Sequence, residues 1–89
     1  MYKYLVEFLG SLFLTFIILT TGNAFAIGSA LALVIIITQN ISGGYIIPTT
    51  AIVMASIGIL DPSELFPYCI FQILGGLVAL EIYKRVHTE

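Results

Sequence analysis

Apolar residues fill this chain in blocks of membrane length, interrupted where small, polar and turn-forming residues cluster. The first block covers 3–21, flanked by Tyr2 and Tyr4 in the manner of an interfacial aromatic belt. Thr20-Thr21-Gly22-Asn23 is a turn signal, and a second block follows over 23–39. A helix crossing the hydrocarbon layer of ~30 Å needs roughly 20 residues, so each block predicts a transmembrane helix. The pattern then breaks at Asn40-Ile41-Ser42-Gly43-Gly44-Tyr45. Pro48 suits the first position of a helix, where no donor is needed. Helical from Pro48 to Gly58, the next run would be about 16 Å long, half the depth of a bilayer. The segment 40–58 is therefore expected to be a loop and a re-entrant half-helix. A third long block starts at Asp61, an N-cap, with Pro62 at N1 and Glu64 spaced as in a capping box. It runs over 62–86, with Pro67 expected to bend it early.

Composition agrees with a bilayer setting. Of 89 residues 60% are hydrophobic and 9% charged, against roughly 25% charged in soluble domains. The 53 residues 8–60 carry no charged side chain. Disorder is excluded, because it requires low hydrophobicity and high charge. The expected fold is an all-α integral, multi-pass membrane domain over 1–89, in contact with lipid. Three Lys and Arg residues and a net charge of -2 exclude nucleic acid as a partner. One cysteine, Cys69, and one histidine, His87, supply neither a disulfide nor a metal cluster, so no cofactor or metal is expected. No nucleophile, base and orienting group can be assembled, so an enzyme is not expected. Asn23-Ala24-Phe25-Ala26 has the look of a signal-peptide cleavage site, but Glu7 interrupts the preceding apolar run and apolar character continues beyond it. The first block is read as a retained span.

Small residues recur four apart, as Ala26 with Ala30, Gly28 with Ala32 and Gly75 with Ala79; such pairs let helices approach closely in lipid. Asp61 and Glu64 are read as a helix cap rather than an ion site, Cys69 as a packed thiol and His87 as interfacial. Lys3 stands on one face against Lys84 and Arg85 on the other, a weak positive-inside bias that permits insertion in both orientations.

Three motifs resemble one known family. Ile41-Ser42-Gly43-Gly44-Tyr45-Ile46-Ile47-Pro48 resembles the I-S-G-G-H-x-N-P-A loop of the aquaporin and aquaglyceroporin (major intrinsic protein) family. Glu7-Phe8-Leu9-Gly10-Ser11 resembles its A-E-F-x-G-T first helix, and Pro67 to Gly76 its P-Y-x-x-A-Q-x-x-G-A third helix. The resemblance covers one of the family's two inverted repeats, closest to the first, and implies three spans plus one re-entrant half-helix. It implies that Glu7 accepts hydrogen bonds from the loop backbone, with Gln72 as a second brace, and that Gly10 packs between helices. It implies a path lined by loop residues Ser42 to Thr49, with carbonyls of Gly43, Gly44, Tyr45 and Ile46 facing it. The family's asparagine, which faces the pore and donates to water, falls on Ile47; its alanine falls on Thr49. An arginine of the second repeat falls on Thr50. Isoleucine can neither donate nor cap the half-helix. Tyr45 replaces a histidine and either gates the entrance or anchors at the interface.

The resemblance implies a channel subunit for water or small neutral solutes, completed by oligomerisation, with an inverted dimer as one form. The alternative is a non-conducting structural membrane protein that packs with lipid or other membrane proteins. Ile47→Asn separates the two.

Overall fold

The computed structural model describes residues 2–86; His87 lies outside them. The described residues form four helices, α1 (Tyr2–Thr21), α2 (Ala24–Ser42), α3 (Pro48–Ser56) and α4 (Pro62–Val86). Three of them, α1, α2 and α4, are long and apolar enough to cross a membrane. With three such helices the chain is a multi-pass integral membrane protein. The body measures 45 × 23 × 20 Å, longest along the helices.

Each helix boundary has a local cause. Gly22, at φ +63°, reverses the chain between α1 and α2. Asn23 caps α2, its side chain accepting from the Ala26 amide at 3.0 Å. The far end of α2 lies at Ser42, three residues past the sequence expectation of 39. Gly43 is the reason: it is the residue that turns to a left-handed φ, at +92°, and its amide closes the helix on the Gln39 carbonyl at 3.2 Å. Asn40, Ile41 and Ser42, expected in the loop, are helical. Helix α3 stops at Ser56, two residues short of the expected Gly58, which takes φ +87° in the following turn. At about 14 Å it is far too short to span a bilayer. Asp61 caps α4 by accepting from the amide and hydroxyl of Ser63, both at 2.9 Å. Glu64 does not complete a capping box; its carboxylate pairs with Lys3 of α1. Lys3 is the stronger partner, since a cation holds a carboxylate better than a neutral amide does.

Helix α1 lies between α2 and α4, and α3 packs on α4. Helices α1 and α4 approach closely at Gly75, where an added Cβ would overlap the Phe8 carbonyl oxygen of α1. Two apolar clusters result. Leu14, Ala30, Val34 and Ile46 join α1, α2 and the loop; Ala51, Leu60 and Tyr68 join α3 to α4. Leu33, Ile36, Ile37, Ile73 and Leu77 face outward, a surface that suits lipid and not water.

The small residues divide. Gly10, Ala30, Gly75 and Ala79 are buried between helices and Ala26 is half-buried. Gly28 and Ala32 face outward, and nothing lies within 4 Å of a Cβ built on Gly28. The packing expected of them is not made within the chain. Helical periodicity explains this: a two-residue offset is about 200° around the axis, so the two pairs on α2 face opposite ways.

Candidate functional site

The loop 43–47 contains no regular structure, and its conformation is held by one side chain. Glu7, one turn into α1, is fully buried. Its Oε1 accepts from the Ile46 amide at 2.7 Å and from Gln72 Nε2 at 2.7 Å. Its Oε2 accepts from the Ser42 hydroxyl at 2.5 Å. One carboxylate thus ties α1 to the end of α2, the loop and α4. Ser42 reaches it because α2 continues past residue 39. Gln72 reaches it because Tyr68, Gln72, Gly75 and Ala79 recur at helical spacing on the face of α4 that is buried.

Two further bonds support this centre. The Tyr68 hydroxyl donates to the Ser42 carbonyl at 2.8 Å, and the Ser11 hydroxyl donates to the Gln72 carbonyl at 2.6 Å. Neither role was anticipated from sequence. The signal was present in periodicity: Ser11 follows Glu7 by four residues, and Tyr68 precedes Gln72 by four. Gln72 Oε1, also buried, has no hydrogen-bond partner among the described residues.

Within the loop, Ile46 is the unusual residue. It is a buried β-branched side chain at φ +59°, a region that such residues rarely enter. The Ile47 amide donates back to the Tyr45 carbonyl at 2.5 Å, closing a γ-turn around it. The Ile46 side chain seats over Gly10, whose missing Cβ would stand 2.8 Å from Ile46 Cδ1. Gly10 therefore makes the socket that the turn fills. Among the described residues, no donor reaches the carbonyl oxygens of Gly43, Gly44 or Ile46.

The remaining loop residues divide by exposure. Gly44 is buried, Tyr45 and Pro48 are half-buried, and Gly43, Ile47 and Thr49 are exposed. The Tyr45 ring lies 5.4 Å from the ring of Tyr68 and folds back over Gly43. Ile47 is the N-cap of α3 and makes no side-chain cap bond, as isoleucine must. Helix α3 opens on Pro48, with the Thr50 and Ala51 amides both turned to the Ile47 carbonyl at 3.0 and 3.2 Å.

At the neighbouring end, Tyr4 stacks on Phe71 and meets Tyr68 edge-on, beside the Lys3–Glu64 pair. Outside the membrane-spanning helices, hydrogen bonds from Ser63 hold the Asp61 carboxyl below the usual carboxylate range. Cys69 is half-buried and unpaired by any disulfide. Among the described residues no three His, Cys, Asp or Glu side chains gather as a metal site would need. An open groove of about 350 Å³ between α1 and α2 is lined by Leu9, Phe13, Leu33 and Ile37 and belongs to the outer surface.

The chain is similar to two kinds of known protein. Aquaporin-8 of Notomys alexis is 42% identical over 66 residues, covering 74% of this chain and 25% of the relative. Aquaporin-8 of Mus musculus is 41% identical over the same length and shares. Glycerol uptake facilitator protein-like 6 of Lactiplantibacillus plantarum is 35% identical over 93 aligned positions, covering 94% of this chain and 43% of the relative. The chain thus spans between a quarter and less than half of the length of these relatives. No family profile and no solved structure matches it. The all-α membrane architecture and the relatives named aquaporin and glycerol uptake facilitator support reading the chain as a stretch of the aquaporin, or major intrinsic protein, type.

Proposed function

We propose that this chain is a channel subunit that passes water or small neutral solutes, and that the loop held by Glu7 is the wall of its path. The reading rests on one observation. The Glu7 carboxylate fixes the Ile46 amide from inside, while the carbonyls of Gly43, Gly44 and Ile46 make no hydrogen bond among the described residues. Irregular backbone with free carbonyls is tolerated at membrane depth where it lines a water-filled cavity. A row of fixed carbonyls offers acceptors to a dehydrating solute. The relatives carry names of channels and facilitators, not enzymes, which supports the same class.

On this reading residues 40–58 are the re-entrant segment, Ser42 to Thr49 form the path wall, and Glu7 and Gln72 brace it. Helices α1 and α4 are cemented by Gly75 and Ala79. The wall has one side, so the path needs a second unit opposite. An inverted copy of this chain supplies it; the near balance of Lys3 against Lys84 and Arg85 supports insertion both ways. A C-terminal tag accessible from one side only, in every copy, refutes the inverted dimer and leaves the channel reading to other partners.

A second reading is favoured by Ile47. It is 39% exposed at the loop tip and brings an apolar side chain where the family's motif has asparagine. A unit so capped is a compact structural element that packs with lipid or other membrane proteins and does not conduct. Osmotic swelling of proteoliposomes decides, with water and then glycerol. Conduction above empty vesicles that is lost in Gly44→Val supports the channel. No conduction by folded protein, unchanged in Ile47→Asn, supports the structural role.

A further inference from the structure

The ring of Tyr45 is turned into the protein. It packs against the cluster of Ala51, Leu60 and Tyr68, its centre 5.4 Å from that of the Tyr68 ring. It also lies across Gly43: a Cβ built there would stand 2.8 Å from Tyr45 Cζ and 3.0 Å from Cε2. Cζ is the ring carbon that bears the hydroxyl, so the hydroxyl is held beside Gly43. Two constraints thus require glycine at 43, its φ of +92° and the ring across it.

The two tyrosines of this pair use their hydroxyls differently. Tyr68 is buried, and its hydroxyl donates to the Ser42 carbonyl at 2.8 Å. Among the described residues the Tyr45 hydroxyl bonds to nothing, and it is not sealed from the surface as Gln72 Oε1 is. The next carbonyl along the chain, that of Gly43, receives no donor among the described residues, and Gly43 is exposed. An open donor and an open acceptor therefore stand side by side. Lipid tails offer neither a partner, and a polar group left unmet in hydrocarbon costs free energy. An anion could accept from the phenol but could not donate to the carbonyl, and a metal cation could not accept from the phenol. A neutral molecule that carries both a hydrogen and a lone pair satisfies the two groups together. The donor matters because the rest of the wall offers acceptors, the carbonyls of Gly43, Gly44 and Ile46, and the Ile47 side chain has nothing to donate.

We infer that the Tyr45 hydroxyl and the Gly43 carbonyl form a binding site for a small neutral solute that both donates and accepts hydrogen bonds, water or a polyol, and that Tyr45 supplies the donor that Ile47 lacks. The inference rests on the reading of Ser42 to Thr49 as a path wall and adds the pair of groups that selects the solute.

The test uses the full chain in phosphatidylcholine bilayers, carrying carbon-13 at tyrosine Cζ and at the glycine carbonyls, and follows both by solid-state nuclear magnetic resonance as glycerol is added. The Tyr45 signal is assigned by its loss in Tyr45→Phe. The expected result is that Tyr45 Cζ and the Gly43 carbonyl shift together, with one half-saturation, while Tyr68 Cζ and the Gly75 carbonyl stay fixed. Dimethyl sulfoxide, which accepts but cannot donate, moves Tyr45 alone. In Tyr45→Phe the Gly43 carbonyl needs roughly fivefold more glycerol for the same shift, the effect of one lost hydrogen bond. That variant keeps the ring and removes a hydroxyl with no partner in the fold, and the wild-type shifts test the site even without it. A Tyr45 signal that responds to the lipid headgroup and not to glycerol makes the residue an interfacial anchor and overturns the site. A Gly43 carbonyl that ignores glycerol, or that responds equally in Tyr45→Phe, overturns it as well. Water and glycerol flux through the same vesicles judges the path separately: a glycerol response without flux refutes the channel and keeps the site, and flux without a response refutes the site and keeps the channel.

Discussion

Gly75→Ala adds one methyl group to a helix in lipid, and the packing sets how much that costs. The new Cβ overlaps the Phe8 carbonyl oxygen and lies 3.1 Å from both the Leu12 amide nitrogen and Ser11 Cβ. Two of these atoms are backbone and cannot rotate aside, so α1 and α4 must part by roughly 1 Å. A gap of that size forfeits up to about half the dispersion energy of the atoms it separates. Overpacking of this kind costs about 1–3 kcal/mol. Two hydrogen bonds lie within one turn of Gly75, Ser11 to the Gln72 carbonyl at 2.6 Å and Gln72 to Glu7 at 2.7 Å. Stretching both adds about 1 kcal/mol on the scale measured in membrane proteins. Against this stands the helix preference of alanine over glycine, up to ~1 kcal/mol. The net expectation is destabilisation by about 1–3 kcal/mol.

The neighbouring glycine is the control. A Cβ at Gly76 meets only Thr15 Oγ1, at an ordinary 3.5 Å, and one at Gly28 meets nothing. Gly76→Ala and Gly28→Ala are expected to be neutral or stabilising by less than ~1 kcal/mol. Gly10→Ala falls between: its Cβ presses on Ile46 Cδ1 and Val34 Cγ1, side-chain ends that can shift. Reversible unfolding in bicelles, by steric trapping, ranks the four. If Gly75→Ala is as stable as Gly76→Ala, the close approach of α1 and α4 is not what holds this fold, and the packing argument fails.

Three further outcomes follow from single contacts. Tyr68→Phe removes only the hydroxyl that meets the Ser42 carbonyl and is expected to cost about 1 kcal/mol in the same unfolding assay, with faster amide exchange at 43–45. Ile47→Asn supplies the side-chain cap that α3 lacks and is expected to stabilise by about 1 kcal/mol; no change in the exchange of the Thr49 and Thr50 amides would refute it. Asp61 has a folded pKa below its unfolded value, so its contribution is present above the unfolded pKa of about 4 and lost as pH falls through the folded one. Asp61→Asn keeps the cap and is expected to remove that acid-dependent loss of stability, measured as midpoint against pH.

Much of this arrangement was legible in the sequence, for a reason that differs between elements. The long helices were legible because lipid demands about 20 apolar residues in a row, a condition that few other structures meet. Glu7 and Gln72 stood out as polar groups in such runs, since burial in a membrane leaves polar side chains few innocent roles. The end of α2 was not legible. Asn40, Ile41 and Ser42 look like loop, and only the left-handed capacity of Gly43, combined with the pull of Glu7 on Ser42, extends the helix to them. The turn at Ile46 was equally hidden, because no propensity scale assigns a positive φ to isoleucine. The orientation of Gly28 and Ala32 required knowing which side of α2 meets α1, and composition carries no such direction.

The concentration of bonds on Glu7 follows from the setting. In water, a hydrophobic drive would press the loop against the helices without help. Between membrane helices that drive is absent, and association rests on close packing and hydrogen bonds. A five-residue loop of mostly glycine and isoleucine has little surface with which to pack. Its place must therefore be fixed by a polar group that reaches it from a neighbouring helix and cannot exchange it for water. Glu7 meets both conditions: it is fully buried, and its three donors come from α2, the loop and α4. Losing it leaves the Ile46 amide and the Gln72 amide group without their partner together, and Ser42 with only the Thr38 carbonyl at 3.4 Å. Substitutions at these positions should be non-additive, and a double variant of Ser42 and Gln72 should cost less than the sum of its parts.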